Sequence, residues 1–169
     1  MVYSVVKYPD KVLERPTAPV TRFDDDLARL VDDMFVCMYA AHGVDLAAPQ
    51  IGLSERLAVV DVTSGQDPAK KIVLCNPEII ATRGRQSMEE GCLSLPGIRA
   101  PVSRPERATV RAQNLQGEWF EMEGEELLAR AFCHETDHLN GRLFLSHLSI
   151  LRREGVKRRI RRMMKAGEW

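Results

Sequence analysis

His134-Glu135-Thr136-Asp137-His138 lies in a run from Glu125 to Leu139 that reads as a single helix. Four helical residues advance about 400°, so the two imidazoles stand on one face, one turn apart, where both can bind one metal ion. Glu135 sits beside the first histidine, where its carboxylate can take a proton from a water polarised by that metal. Two His with a Glu between them on a helix form the signature of a hydrolytic metal site. The same five residues also arise by chance on amphipathic helices, so a third ligand and a means of binding substrate are required.

The best third ligand precedes the helix. Met88 to Gly97 is rich in turn formers around Cys92. A thiolate with two imidazoles leaves a fourth tetrahedral position for water, as in an open catalytic site. The thiolate also leaves less positive charge on the metal than a third His would, which makes Glu135 more important as proton acceptor.

Outward from these motifs, the pattern predicts α+β: antiparallel or mixed β-sheets around a central HExxH helix, with an N-terminal helix and a C-terminal helix. The first helix begins after Phe23, capped by Asp24 to Asp26, with Leu27, Leu30, Val31, Met34, Phe35 and Met38 as a core-facing stripe. Residues 57–62 and 72–75 are β-rich runs joined by a polar loop and suggest a hairpin, with Asn76-Pro77 ending the second. Further strands are expected at 78–82, 108–113 and 118–122, the last two joined by a turn at Asn114 to Gly117. The stretch 43–52 is too rich in Gly, Ala and Pro for a regular element. Small residues at this density mark backbone that something approaches closely. Residues preceding Tyr8-Pro9-Asp10 read as a short strand-like run, and 15–19 as an irregular connection.

The 169 residues fit one domain, with no repeat or low-complexity linker. The net charge is zero, but from Ser149 onward eight Lys/Arg face two Glu, a surplus of six carried by a basic C-terminal helix over 149–169. Ile150, Leu151, Val156, Ile160, Met163 and Met164 are its apolar positions. No signal peptide and no membrane span is expected, and no membrane partner. Four cysteines without close-spaced pairs (37, 75, 92, 133) fit reduced thiols in a cytoplasmic setting. Cys37 and Cys133 read as buried, inert thiols. Cys133 points about 100° from His134 and is a poor ligand.

Three motifs in order resemble those of the peptide deformylase family. Gly43 to Gln50 resembles GxGLAAxQ, Glu90 to Ser94 matches EGCLS, and His134 to His138 matches HExDH; Tyr8-Pro9-Asp10 is similar too. The resemblance implies removal of the formyl group from N-formyl-methionyl nascent peptides, releasing formate. It implies that Cys92, His134 and His138 hold one divalent metal, Fe(II) in the cell, with Zn or Ni able to occupy the same ligands. Glu135 would be the general base, Gln50 by its amide and Leu93 by its backbone N–H would stabilise the oxyanion, and Gly43, Val44, Asp45, Gly91 and Arg99 would meet the peptide. The basic helix is similar to one that docks such enzymes on ribosomal RNA. Asp45 departs from the pattern, which has glycine there; it is expected either to sit at positive φ, which aspartate tolerates better than most residues, or to place a carboxylate beside the substrate channel that narrows the mouth or repels acidic peptide residues near the methionine, with activity retained. Cys133 stands where the pattern has glutamine, and Asp137 is expected to orient a neighbour such as Arg104. A zinc endopeptidase and a catalytically weak ribosome-binding protein stand as alternatives.

Overall fold

Residues 57–60 are apolar without alternation because both faces of the strand they form are covered. The computed structural model describes residues 1–169. Seven strands and three α-helices follow one another as α1 (Asp25–Ala40), β1 (Asp45–Ala47), β2 (Leu57–Val60), β3 (Ile72–Arg83), β4 (Gln86–Gly91), β5 (Arg99–Arg104), β6 (Arg107–Gln113), β7 (Trp119–Glu125), α2 (Leu127–Leu139) and α3 (Ile150–Lys165). A five-stranded antiparallel sheet has the order β1-β2-β3-β6-β7, and β4 pairs with β5 in a separate ribbon. Leu46, Leu57, Val59 and Cys75 pack with α1, while Ala47, Ala58, Val60, Leu74, Val110 and Ala112 pack with Ala131, Phe132 and Leu139 of α2.

The expected α+β class holds, and several boundaries shift. The Asp24 side chain accepts from the Leu27 N–H and caps α1 as anticipated. The HExxH helix starts at Leu127 rather than Glu125, because β7 continues to Glu125 and Glu126 turns the chain with φ of 52°. Asn76-Pro77 does not end a strand. β3 runs through it to Arg83 with a register shift between Cys75 and Glu78, and the Asn76 side chain bonds Val20 O and Gln113 Oε1 at 2.9 and 2.7 Å. The 43–52 stretch is more regular than expected, since Asp45–Ala47 pairs with β2 as the sheet's edge and Ala48–Ile51 forms a 3-10 turn. The strand-like run before Tyr8 joins no sheet, but Val6 N–H reaches Gln50 O at 2.7 Å and Tyr8 N–H reaches Ser94 O at 2.9 Å, tying it to two motifs.

Gly124 of β7 brings α2 close: a Cβ there would lie 2.7 Å from Leu128 Cγ and 2.9 Å from Phe132 Cε2. On α3, Ile160 is buried, whereas Ile150 and Leu151 are 76% and 81% exposed and face no core. Trp169 Nε1 donates to Tyr8 O at 2.6 Å, closing the carboxyl end onto the amino end. No helix is long and apolar enough to cross a membrane.

Candidate metal centre and substrate chamber

Three elements converge. The turn after β1 carries Gln50, the end of β4 leads into Cys92, and α2 presents His134, Glu135 and His138. Cys92 Sγ lies 3.3 Å from His138 Nε2, which lies 3.1 Å from His134 Nε2. Metal–N bonds of about 2.0–2.1 Å and a metal–S bond of about 2.3 Å at tetrahedral angles place such atoms roughly 3.3–3.6 Å apart, so the three ligands fit one ion. The His134 Nδ1 faces Glu90 Oε2 at 2.7 Å; as donor to that carboxylate it leaves Nε2 with its lone pair free for a metal. His138, deeply buried, is held well below the ordinary imidazole pKa by burial and then by His134, favouring the neutral, ligating form.

Glu90 is the hub of a buried polar network. It also receives Arg104 through Nε and Nη2 at 3.0 and 2.7 Å and Arg130 through Nη1 at 2.6 Å. Burial alone would raise its carboxyl, but the bonds from His134 and Arg104 overcome that and hold it far below the carboxylate range. Arg104 Nη1 reaches Asp137 Oδ2 at 2.7 Å, the partnership expected for Asp137, and His147 Nε2 lies 2.8 Å from the same oxygen. Burial works against the Asp137 carboxylate as well, yet His147 and Arg104 keep its pKa below the ordinary value.

Gln50, fully buried, is clamped at both ends of its amide. Its Oε1 accepts from Ala47 N–H at 2.9 Å, and its Nε2 faces Ser94 Oγ at 3.3 Å and Cys92 Sγ at 3.5 Å. Leu93 N–H donates no hydrogen bond within the chain. Glu135 is completely buried beside the ligands, and both its carboxylate oxygens lack a partner. Burial, and then the Asp45 carboxyl, push its pKa well above the ordinary range; a cation among the ligands acts in the opposite direction.

These groups open into a chamber of about 410 Å³ lined by Gly43, Val44, Asp45, Gly91 and Arg99, so the structure gathers every residue assigned to the peptide. Gly43 is needed for close approach, since a Cβ there would lie 2.7 Å from Leu93 Cδ1. Arg99, its side chain 62% exposed at the rim, packs its guanidinium over Gly91 and pairs with Glu89 at 3.7 Å. Cys133 is buried with Ala108 and Ala129, outside the ligand set, and burial pushes its thiol up to about 11.

A match to the Polypeptide deformylase family covers residues 2–154. The chain belongs to this family. It is 62% identical to the peptide deformylase of Acidobacterium capsulatum, over all of this chain and 99% of that one. To that of Hydrogenovibrio crunogenus it is 46% identical, over 95% of this chain and 94% of the other. The crystal structure of a peptide deformylase from Legionella pneumophila superposes with a TM-score of 0.91 at 42% identity, covering 99% of this chain and 98% of that one. The chain is thus a deformylase, an enzyme that hydrolyses the N-formyl group of newly synthesised polypeptides, and the endopeptidase alternative is set aside.

Within this deformylase, Asp45 lines the chamber, on the substrate side where the sequence expectation put it. Its φ is not positive, because β1 is an ordinary extended strand. One Asp45 oxygen lies within 4.8 Å of a His134 ring nitrogen and of a Glu135 oxygen, at the inner end of the chamber. Burial raises its pKa above the ordinary carboxylate value. Glu90 and Ser94 fall within the EGCLS match but carry no role there until the structure shows their partners, and Arg130 lies outside the motifs. Arg130 stands four residues before His134 on α2, a same-face spacing that marks it in retrospect. β4 turns Glu90 inward and Glu89 outward, which gives the first residue of the EGCLS match its buried partners.

Proposed function

We propose that Cys92, His134 and His138 hold one divalent cation, Fe(II) in the cell, and that Glu135, Gln50 and Leu93 carry the hydrolysis of N-formyl-methionyl peptides. A thiolate with two imidazoles suits iron, zinc or nickel far better than magnesium or calcium. When bound, the cation supplies Lewis acidity, polarising the formyl carbonyl and making water at the site more acidic. Glu135 takes the proton from the attacking water and passes it to the leaving amine. The Gln50 amide, held by Ala47 and Ser94, and the unspent Leu93 N–H stabilise the negative charge that develops on the formyl oxygen. The peptide lies along the free edge of β1, meeting backbone groups of Val44, Asp45 and Gly91, with Arg99 at the rim.

One observation carries this reading: the two Glu135 oxygens are buried against the ligand set without any protein partner. A buried carboxyl with no hydrogen bond is costly, and its retention is explained by a partner that arrives with substrate and water. Formate release from formyl-Met-Ala-Ser by anaerobic, Fe(II)-loaded protein is the test. Glu135→Ala retains one metal per chain and loses about 10²–10⁴-fold in turnover. Lost metal would overturn the assignment of roles, and no formate from the wild-type protein would favour a catalytically weak ribosome-binding protein.

The reading extends to the ribosome in the cytoplasm. Arg158, Arg161, Arg162 and Lys165 form an exposed cationic cluster on α3, suited to RNA phosphates. Deletion of α3 would remove buried Ile160 and the Trp169 bond to Tyr8, so charge substitution is the cleaner probe. Glu at these four positions weakens ribosome binding steeply at low salt and flattens its salt dependence, with folding checked by circular dichroism. Unaltered affinity would refute the docking surface.

A further inference from the structure

The Tyr8-Pro9-Asp10 motif has no part in the chemistry above, yet the segment that leads into it touches two of the site's motifs. Val6 N–H donates to Gln50 O at 2.7 Å, and Tyr8 N–H donates to Ser94 O at 2.9 Å. Neither carbonyl receives any other backbone donor. Gln50 belongs to the turn after β1, in the five-stranded sheet, and Ser94 to the loop after β4, in the separate ribbon, so the two bonds join parts that share no strand pairing. Apolar contacts straddle the same seam. Tyr3 and Val5 pack against the cluster of α1 with Leu46 and Leu57, whereas Val6, Tyr8 and Val12 pack against the cluster that holds Leu95, Ile98 and Ile160.

Tyr8 is itself fastened from the far end of the sequence. Trp169 Nε1 donates to Tyr8 O at 2.6 Å, and both side chains pack against the same apolar cluster. Beyond Tyr8 the turn is closed by Asp10, whose N–H reaches Lys7 O at 3.0 Å and whose carboxylate accepts from Val12 N–H at 3.0 Å. Leu13, fully buried, anchors it. A line of bonds thus runs from Trp169 to Tyr8, from Tyr8 to Ser94, and from the Gln50 amide to the Ser94 hydroxyl at 3.3 Å.

We propose that Trp169 is a positioning residue for deformylation: by pinning Tyr8 it fixes the spacing of the two oxyanion donors, the Gln50 amide and the Leu93 N–H. The inference rests on the reading of those two groups as the oxyanion hole. They come from different elements, and such a hole works only when both donors are aimed at one oxygen before the reaction begins. Two residues of chain span at most about 7 Å, so while Val6 and Tyr8 keep their bonds the Gln50 and Ser94 carbonyls cannot drift apart. Leu93 adjoins Ser94 and moves with it. Without the indole N–H, Tyr8 O loses that partner and the tie slackens. The chamber and the β1 edge that bind substrate are untouched, so the cost falls on the transition state.

Trp169→Phe keeps an aromatic ring in the cluster and removes the donor; it is assayed as full-length, Fe(II)-loaded protein on formyl-Met-Ala-Ser. Its kcat falls about tenfold with KM within about twofold of wild type, while circular dichroism shows the fold, and metal analysis the ion, retained. Trp169→His, whose five-membered ring places an N–H where the indole has Nε1, keeps kcat within about threefold. Gln50→Ala loses about 10²–10³-fold in kcat. In that background Trp169→Phe costs less than about threefold further, because the donor it aims is gone. A wild-type kcat in Trp169→Phe, a loss confined to KM, a lost fold or metal, a His variant as slow as Phe, or the same tenfold loss in Gln50→Ala overturns the proposal. Normal turnover in Gln50→Ala removes the oxyanion reading itself, whereas an impaired Gln50→Ala beside an unimpaired Trp169→Phe removes the positioning role alone.

Discussion

Glu90 Oε2 and His134 Nδ1 lie 2.7 Å apart in the interior, and the same carboxylate takes bonds from two arginines. One acid thus faces the ring nitrogen remote from the proposed metal position and neutralises the two arginines buried around it. Two losses are expected to separate on substitution. Glu90→Gln preserves shape but weakens the orientation of His134, lowering metal affinity about 10–100-fold in a chelator competition. Glu90→Ala in addition leaves Arg104 and Arg130 buried without their partner and costs about 3–5 kcal/mol in urea unfolding. Wild-type metal affinity in Glu90→Gln would show that His134 needs no such support.

The chemistry of the site was more legible than its architecture, for a physical reason. His134, Glu135 and His138 are bound together by helical period, and Cys92 is conspicuous as a thiol among turn formers. The Asp24 cap and the β2–β3 pairing were equally readable, because capping and hairpin pairing act over short distances. What escaped depends on partners remote in sequence. β1 is a strand only because Val60, Val59 and Ala58 lie beside it, and β3 passes through Asn76-Pro77 only because Val20 and Gln113 satisfy the Asn76 side chain. Asp45 was marked as a departure, but its proximity to Glu135, ninety residues on, belongs to the packing of β1 against α2.

That packing is sensitive at Gly124. An added Cβ would lie 2.7 Å from Leu128 Cγ, 2.9 Å from Phe132 Cε2 and 3.2 Å from the Ala129 backbone nitrogen, and the last cannot move without the helix. Gly124→Ala is expected to cost about 1–3 kcal/mol by overpacking. Because α2 carries His134, Glu135 and His138, kcat/KM for formate release falls with it. Gly155, in the interior of α3, is the matched control: nothing lies within 4 Å of its added Cβ. Gly155→Ala should stabilise by about 0.5–1 kcal/mol. A Gly124→Ala protein with the wild-type Tm would mean that α2 rides on the sheet with room to spare.

Asp61 supplies the pH dependence away from the metal. It is buried at the end of β2, accepting from Thr63 N–H at 2.9 Å, Thr63 Oγ1 at 2.6 Å, Gly65 N–H at 3.0 Å and the Tyr39 hydroxyl. Burial acts to raise its pKa, but the bonds from Thr63, Tyr39 and Gly65 win and hold it below the ordinary value. A carboxyl depressed in the folded state contributes stability that is full above its unfolded pKa of about 3.9 and is lost as pH falls through the folded value. Burial, and then the bond to Asp61, push Tyr39 up to about 12, so its contribution is full below the unfolded value and is lost as pH rises toward that figure. Asp61→Asn should therefore cost about 1–3 kcal/mol at pH 7, the scale of charged hydrogen bonds broken in the interior. The gap between wild type and variant should hold from about pH 4 to 10 and shrink below about pH 4, as the wild type alone loses the stability of its carboxylate. Thermal unfolding of both proteins at pH 7, 4 and 3 reads this directly, and a gap that stays constant or widens into acid would show that Asp61 is not held as an anion by its donors.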